Sequence, residues 1–477
     1  MSERDLLILG AGPAGMAAAM TLHRADRRFV LVEKATQVGG LAKTYRFGEF
    51  RTDNGPHRFF SKNRFLYEFI EDLIGEHWIP VDRFTRFYIG GRFFRYPIEF
   101  KDTLSTLGWR KAARAVYDYA VLEKLRPFKR PPRNFEEYAL SQFGRTLAEF
   151  NILNYTEKIW GLPCRELSWE WGEQRIQGLS VASLLKKMLL SRGGPKTLVD
   201  RFYYPDLGAG LIYEEILRRI EPDNRVLLGS EPTGIEHADG RVRRIGLSSG
   251  EEFRDPAHVI SSIPITQLVR LLRPAPPEEV LRAASSLRFR SQVYLFVTLA
   301  KPRVSLDQWI YFPDPEVPFG RISEMKNFSA KMSPPDKTSL FIEFFCWEGD
   351  AVWRSSKEEL AKAALGWLER LGFVRAAEVI DVHHIRQSNV YPTYDLGYRQ
   401  RLEVLERYLD SFSNLVTVGR PGRFRYTNQD HSLEMGILAA RGVLEGRRFD
   451  MSEIGMEREY FERGEAEQSS SRVEQNS

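Results

Sequence analysis

Gly10-Ala11-Gly12-Pro13-Ala14-Gly15 is a G-x-G-x-x-G run, a spacing that lets bare backbone approach a diphosphate. The first glycine makes a tight turn, the second admits the phosphates, and the third lets a helix pack closely on a strand. A helix opening at Pro13 and Ala14 turns its positive end to the same charge. Glu33, with Lys34 beside it, stands where a carboxylate accepts hydrogen bonds from ribose hydroxyls. Gly39-Gly40-Leu41 follows closely on the acidic residue. Farther on, Tyr155, Lys158 and Trp160 bracket a cation with two aromatic rings, either a set able to stack a base and attract phosphate or a helix end with buried aromatic residues. Arg321 offers a planar fork for phosphate oxygens, with Lys326 nearby. Gly419-Arg420-Pro421-Gly422-Arg423-Phe424-Arg425-Tyr426 crowds arginine, glycine and aromatic residues as a plain loop does not. His57, after Gly55-Pro56, read alone, suits a core or surface position better than catalysis. Neither a Ser-His-Asp arrangement nor a His/Cys/Asp group of metal-ligand spacing is evident, so no metal is expected.

The elements that must position these residues start with β-turn-α-β: strand 5–9, helix 14–25 and strand 29–33. Helix 64–73 carries a Phe65, Phe69, Leu73 stripe, and Gly90-Gly91 turns a hairpin within 87–98. A basic, helical stretch runs over 101–129 and closes at Arg130-Pro131-Pro132-Arg133; 134–200 is mostly helical by pattern. Strand alternation returns at 225–228, 234–237, 242–247 and 259–261. A sheet-rich block covers 292–345, a helix 357–371, a strand 414–418 and a closing helix 432–444. The polar, serine-rich 464–477 reads as a disordered tail.

The chain has 477 residues, enough for two or three cores, with 43% hydrophobic and 28% charged residues. Its net charge of +5 suits anionic ligands but is no dense basic stripe, so nucleic acid is not an expected partner. Two cysteines, Cys164 and Cys346, make no disulfide framework and suggest a reducing compartment. The apolar stretch from Leu6 follows acidic residues and is broken by glycine and proline, so it does not read as a leader. With no long uncharged apolar run either, the expectation is a soluble, cytoplasmic protein.

The acidic residue followed by Gly39-Gly40 resembles the second FAD contact of glutathione-reductase-type flavoproteins, which favours FAD over NAD. Further segments resemble the UDP-galactopyranose mutases of the FAD-dependent amine oxidase and protoporphyrinogen oxidase superfamily. They are Gly55-Pro56-His57-Arg58-Phe59, Tyr155-Thr156-Glu157-Lys158-Ile159-Trp160-Gly161, Arg321-Ile322-Ser323-Glu324-Met325-Lys326-Asn327-Phe328 and Gly419 to Tyr426, with Tyr391-Pro392 before the last. Their order along the chain matches as well. Two departures stand out: Leu179 occupies the place of a diphosphate-binding arginine, leaving Arg175 as a substitute, and Asn428 replaces an acidic residue after Arg-Tyr. Phe202 to Gly210 looks closer to the oxidase side of the superfamily.

The resemblance implies an α/β fold: a Rossmann-type, glutathione-reductase-like FAD-binding domain interleaved with a helical domain and an antiparallel-sheet substrate domain. It assigns 1–98, 216–285 and 396–450 to FAD binding, 99–215 to a helical cap and 286–395 to the substrate sheet. Cofactor contacts are expected from Gly10, Gly12, Pro13, Ala14, Gly15, Glu33, Lys34, Gly39, Gly40, Leu41, Gly55, His57, Pro232, Gly419, Arg420 and Asp430. Substrate contacts are expected from Tyr155, Lys158, Trp160, Arg175, Lys326 and Asn428, and catalytic roles from His57, Arg321, Tyr391 and Tyr426. The implied reaction interconverts pyranose and furanose forms of a nucleotide-sugar, with reduced flavin N5 as nucleophile. No second G-x-G-x-x-G is evident, so NAD(P)H, as an external reductant, would enter the substrate cleft. The alternative is an FAD-dependent oxidase or dehydrogenase of an amine, porphyrin or polyprenoid. That reading would give 101–133 and 184–190 a peripheral membrane contact, although such stretches are more often solvated helix faces.

Overall fold

The computed structural model describes residues 6–95, 130–176, 201–452 and 454, with 110, 113–115, 117, 118 and 121 between them. The side chains of 151 and 173–176 are also outside the description. The expected tail at 464–477, most of the basic helical stretch and the 184–190 segment lie outside the described residues.

Leu6–Leu9 is the middle of a parallel five-stranded sheet, between His258–Ser261 and Val30–Glu33, with Leu415–Thr417 and Arg225–Leu228 at the edges. Such a sheet is covered on both faces, and the side chains divide accordingly. Leu6, Ile8, Leu31 and Ile260 pack into one core with Pro13–Arg24 and Gln429–Glu445. Leu7, Leu9, Val30, Val32 and Val259 pack into another, on the opposite face. Strand order turns back on either side of Leu6–Leu9, the crevice where open α/β sheets bind ligands. The strand ends at Gly10, and Gly10 N–H donates to the Val32 carbonyl at 2.7 Å, closing the tight turn.

A second, seven-stranded sheet runs Val379–Pro392, Phe289–Leu299, Thr338–Cys346, Arg321–Ser323, Trp309–Tyr311, Thr85–Ile89, Arg92–Arg95. Its pairs are antiparallel except Trp309–Tyr311 with Thr85–Ile89. The Gly90-Gly91 hairpin is present, but its strands extend this second sheet, so 85–95 goes with the residues after 286 and not with the opening segment. One face, from Val293, Leu295, Ile342 and Phe344, packs against Leu360, Ala364 and Leu368 of helix Lys357–Arg370. By strand alternation the other face carries Gln292, Tyr294, Arg321 and Glu343, and it looks toward the first sheet's crevice.

Helices Phe135–Phe143, Leu153–Trp160 and Trp169–Ile176 pack on the second core of the parallel sheet through Phe135, Trp160 and Trp171. The closing helix spans Gln429–Glu445 and begins before the expected 432, which makes Asn428 its N-cap.

Candidate active site

Two cavities meet where the sheets face each other. The first, of about 190 Å³, follows the glycine turn and is lined by Gly10, Gly12, Pro13, Ala14, Glu33, Lys34, Gly40, Leu41, Pro232, Gly419 and Arg420. The second, of about 180 Å³, is lined by Asn54, Gly55, Arg58, Gln292, Tyr294, Trp309, Tyr311, Arg321, Tyr391 and Tyr426, among others. Leu41, His57, Arg420, Asn428 and Gln429 line both, so the cavities adjoin along these five residues.

The glycine turn has the build of a dinucleotide cradle. A Cβ on Gly15 would lie 1.9 Å from the Gly10 carbonyl oxygen, so only glycine lets the helix sit this close to the strand. A Cβ on Gly40 would reach 2.9 Å from Gly12 Cα, so the two glycine segments touch along bare backbone. Gly39 N–H donates to the Ala11 carbonyl at 2.8 Å and locks them together. Glu33 accepts from the Ala11 and Ala35 N–H groups at 2.7 and 2.9 Å, which points its carboxylate along the groove. Gly15 and Gly39 shape the cradle from behind and do not line it. These residues fit FAD: an acidic ribose acceptor, an open glycine turn, and buried polar atoms at the far end that lack partners. Those atoms are Asn54 Oδ1 and His57 Nδ1, which have no hydrogen-bond partner among the described residues. A buried polar group without a partner is costly, and the edge of a heterocycle would satisfy it.

His57 is held neutral: burial, with Arg420 and Arg321 close by, pushes its imidazole down to about 3. It can donate or accept at the junction but carries no charge near neutral pH.

One row of side chains across four strands underlies the second cavity, and all but its glutamate line it. Tyr294, Glu343, Arg321 and Tyr311 are direct cross-strand partners in that order. Arg321 Nε and Nη2 donate to the two Glu343 oxygens at 2.5 and 2.7 Å. Gln292 Nε2 donates to Glu343 at 3.0 Å and its oxygen accepts from the Tyr294 hydroxyl at 2.8 Å. Burial alone would disfavour the Arg321 charge; Glu343, Tyr391 and Tyr311 overcome it and hold the guanidinium charged.

The opposite wall is a stacked pair, Tyr391 and Tyr426, with ring centroids 5.3 Å apart and planes 9° from parallel. Arg420 sits over both rings at 5.4 and 4.9 Å and donates Nε to the Thr427 carbonyl at 2.8 Å and Nη1 to the Val390 carbonyl at 3.3 Å. A bulge in Val379–Pro392 shifts the register between Arg290 and Gln292. It turns Gln387, Ser388 and Asn389 to the first cavity and Val390 and Tyr391 to the second.

Several expected residues sit elsewhere. Trp160 is 1% exposed, so it is no open shelf; it stands edge-on behind Tyr391 and Tyr426 at 6.1 and 6.2 Å. Tyr155 packs edge-on against Phe87 and Tyr311, just behind the cavity wall. Lys158 lines neither cavity and donates to the Phe312 and Asp314 carbonyls at 2.7 and 2.8 Å; burial brings its ammonium down to about 7. Lys326 is likewise outside both cavities, tied to the carbonyls of Pro302, Pro334, Pro335 and Lys337. Asp430 is buried in the first turn of the closing helix and lines neither cavity. Arg175 lies in helix Trp169–Ile176 with its side chain outside the description.

Glu343, Gln292 and Tyr294 went unnoticed in the sequence, although the first two carry a signal. Glu343 is the one charged residue of Thr338–Cys346, and Gln292 directly precedes the apolar run Val293 to Val297; each is buried at 1% exposure. Such residues stay buried only when paired.

Comparison with known proteins bears on this arrangement. A probable UDP-galactopyranose mutase of Klebsiella pneumoniae is 25% identical over 459 residues, covering 92% of this chain and 94% of that protein. A crystal structure of reduced UDP-galactopyranose mutase superposes with a TM-score of 0.83 at 24% identity, over 96% of this chain and 100% of the other. A putative protoporphyrinogen oxidase from Exiguobacterium sp. 255-15 gives a TM-score of 0.70 at 21% identity, over 93% and 100%. At those identities the two structures speak for the fold, a parallel sheet joined to antiparallel ones. The family described as flavin containing amine oxidoreductase matches residues 13–444. The chain therefore belongs to the flavin-containing amine oxidoreductases, within which it resembles UDP-galactopyranose mutase.

Proposed function

We propose that this flavoenzyme binds FAD in the first cavity and a nucleotide-sugar in the second, and interconverts the sugar's pyranose and furanose forms. The observation that carries the reading is the join between a dinucleotide cradle and a pocket walled by arginine, tyrosine, asparagine and glutamine. The full-length likeness to the Klebsiella pneumoniae protein supports it. When bound and reduced, the flavin supplies the nucleophile for the anomeric carbon. Arg321 and Arg420, each fixed in place by protein acceptors, border the departing diphosphate and keep it near, while Tyr391 and Tyr426 wall the sugar's side of the cavity. Neutral His57 and Asn54 orient polar atoms at the cavity junction.

The family match and the oxidase-like neighbour support a second reading, oxidation of an apolar amine or porphyrin. Such a substrate would leave the polar groups of the second cavity unpaired, which disfavours it. Anaerobic incubation of the dithionite-reduced holoenzyme with UDP-galactofuranose, followed by chromatography, tests the proposal. UDP-galactopyranose should accumulate with the reduced enzyme. No conversion, together with peroxide release from an amine or porphyrin in air, would overturn it.

A further inference from the structure

Among the described residues three arginines line the second cavity, and two of them already donate to protein acceptors. Arg321 grips Glu343 with Nε and Nη2, so its charge is matched before any ligand arrives. Arg420 gives Nε and Nη2 to the Thr427 carbonyl and Nη1 to that of Val390, beneath the tyrosine pair. Arg58 has neither a hydrogen bond nor an ion pair among the described residues.

The chain aims Arg58 by a simple device. Phe59 forms a two-way bridge with Tyr203, N–H to carbonyl at 3.0 Å one way and 3.2 Å the other. Its ring is 2% exposed and stands edge-on to Tyr67 and Trp78, each 5.3 Å away. In extended backbone the flanking side chains point the opposite way. Arg58 and Phe60 accordingly both line the second cavity, and Arg58 is half-buried there.

We infer that Arg58 is the anchor for the anionic end of the second cavity's ligand, its guanidinium fork taking two oxygens of a diphosphate. A partly desolvated, unpaired guanidinium makes strong bidentate contacts to phosphate oxygens, and it separates diphosphate-bearing ligands from neutral ones. Naming the ligand as a nucleotide-sugar rests on the proposed function; the anchor itself requires only a diphosphate. It is a specificity residue for that site, distinct from the Arg321 floor.

The test uses FAD-loaded wild type, Arg58→Gln and Arg58→Lys, titrated with inorganic pyrophosphate, UDP and uridine while flavin absorbance is followed. Pyrophosphate should bind wild type and weaken roughly tenfold to a hundredfold in Arg58→Gln, the loss expected for charged hydrogen bonds. Arg58→Lys should fall between, since a point charge replaces the fork. Uridine should bind wild type and Arg58→Gln alike, and matching melting temperatures will show that the variants fold. Equal pyrophosphate affinity in wild type and Arg58→Gln, or no pyrophosphate binding by wild type, overturns the anchor. Failure of the nucleotide-sugar reading has a different signature: UDP binds no better than pyrophosphate and no sugar is converted, while Arg58→Gln still loses pyrophosphate.

Discussion

Arg321 and Glu343 face one another directly across two adjacent strands, joined by two parallel hydrogen bonds of 2.5 and 2.7 Å. Their side chains are 15% and 1% exposed, so the pair is buried on the carboxylate side and open to the cavity on the other. A Cβ on Gly55 would lie 3.7 Å from Arg321 Nη2 and 3.8 Å from a Glu343 oxygen, so Gly55 packs directly against the pair. The pair is a rigid floor whose orientation comes from sheet register.

Removing one partner of a buried pair leaves the other's charge uncompensated. Glu343→Gln should therefore lower unfolding free energy by roughly 3 kcal/mol, toward the lower end for broken buried pairs because glutamine keeps one acceptor. Urea denaturation of the holoprotein measures this. A change under about 0.5 kcal/mol, the range of ordinary surface substitutions, would show that Arg321 finds another partner.

The second and third glycines of the turn should separate cofactor binding from folding. Gly12 has an ordinary negative φ of -76° and nothing closer to a built Cβ than 3.9 Å, yet it lines the first cavity. Gly12→Ala should leave the apoprotein's melting temperature unchanged and weaken FAD binding at least about tenfold, because the methyl occupies diphosphate space. Gly15→Ala, with its Cβ 1.9 Å from a carbonyl oxygen, should fail to fold stably. Fluorescence titration with FAD and a thermal melt of each variant check both halves; unchanged FAD affinity in Gly12→Ala would move the cofactor elsewhere.

Asp53 predicts a pH dependence of stability. It accepts from Thr44, Tyr204 and the Ala209 N–H in full burial, and that burial raises its carboxyl from 3.8 to about 6. Between those values the folded chain keeps a proton that the unfolded chain has lost. Its contribution to stability is therefore greatest below pH 4 and falls as pH rises toward 6, by about 3 kcal/mol at 1.36 per pH unit. The stability gap between wild type and Asp53→Asn should drift by that amount across the window, to the detriment of wild type as pH rises. A gap independent of pH would contradict the shift.

His57 runs in the opposite direction. Its folded value near 3 lies below the unfolded 6.5, so the stability it contributes is complete above 6.5 and is lost as pH falls toward 3. The profile of kcat/KM should show no limb near 6.5 that disappears in His57→Gln. Finding such a limb would place a charged imidazole in the reaction.

The dinucleotide cradle was legible because its chemistry is local: one turn, one helix start and one acid within a single β-turn-α-β unit hold Gly10 to Glu33. Tyr391, Tyr426, Arg420 and Arg321 were legible as residue types, and the folded chain brings all four to one cavity. What was hidden depends on pairing between distant strands. The Tyr294–Glu343–Arg321–Tyr311 row exists only once four segments find their register. Glu343 stands out in its apolar strand, yet nothing local says that Arg321 will answer it. Lys158 and Lys326 mislead for a related reason, since a cation near aromatic residues has no direction in the sequence and both turn to backbone carbonyls. Asn428, expected as a substrate contact, lines both cavities as the N-cap of the helix that borders them.

The proposed function requires cofactor and ligand to share one continuous site joined at Leu41, His57, Arg420, Asn428 and Gln429. Titrating the FAD-reconstituted protein with UDP under a spectrophotometer tests it most directly. A saturable shift of the flavin bands, with no further UDP-dependent shift once the site is filled with UDP-galactose, is the expected outcome. A protein that stays colourless after reconstitution, or a flavin spectrum indifferent to UDP, would contradict it.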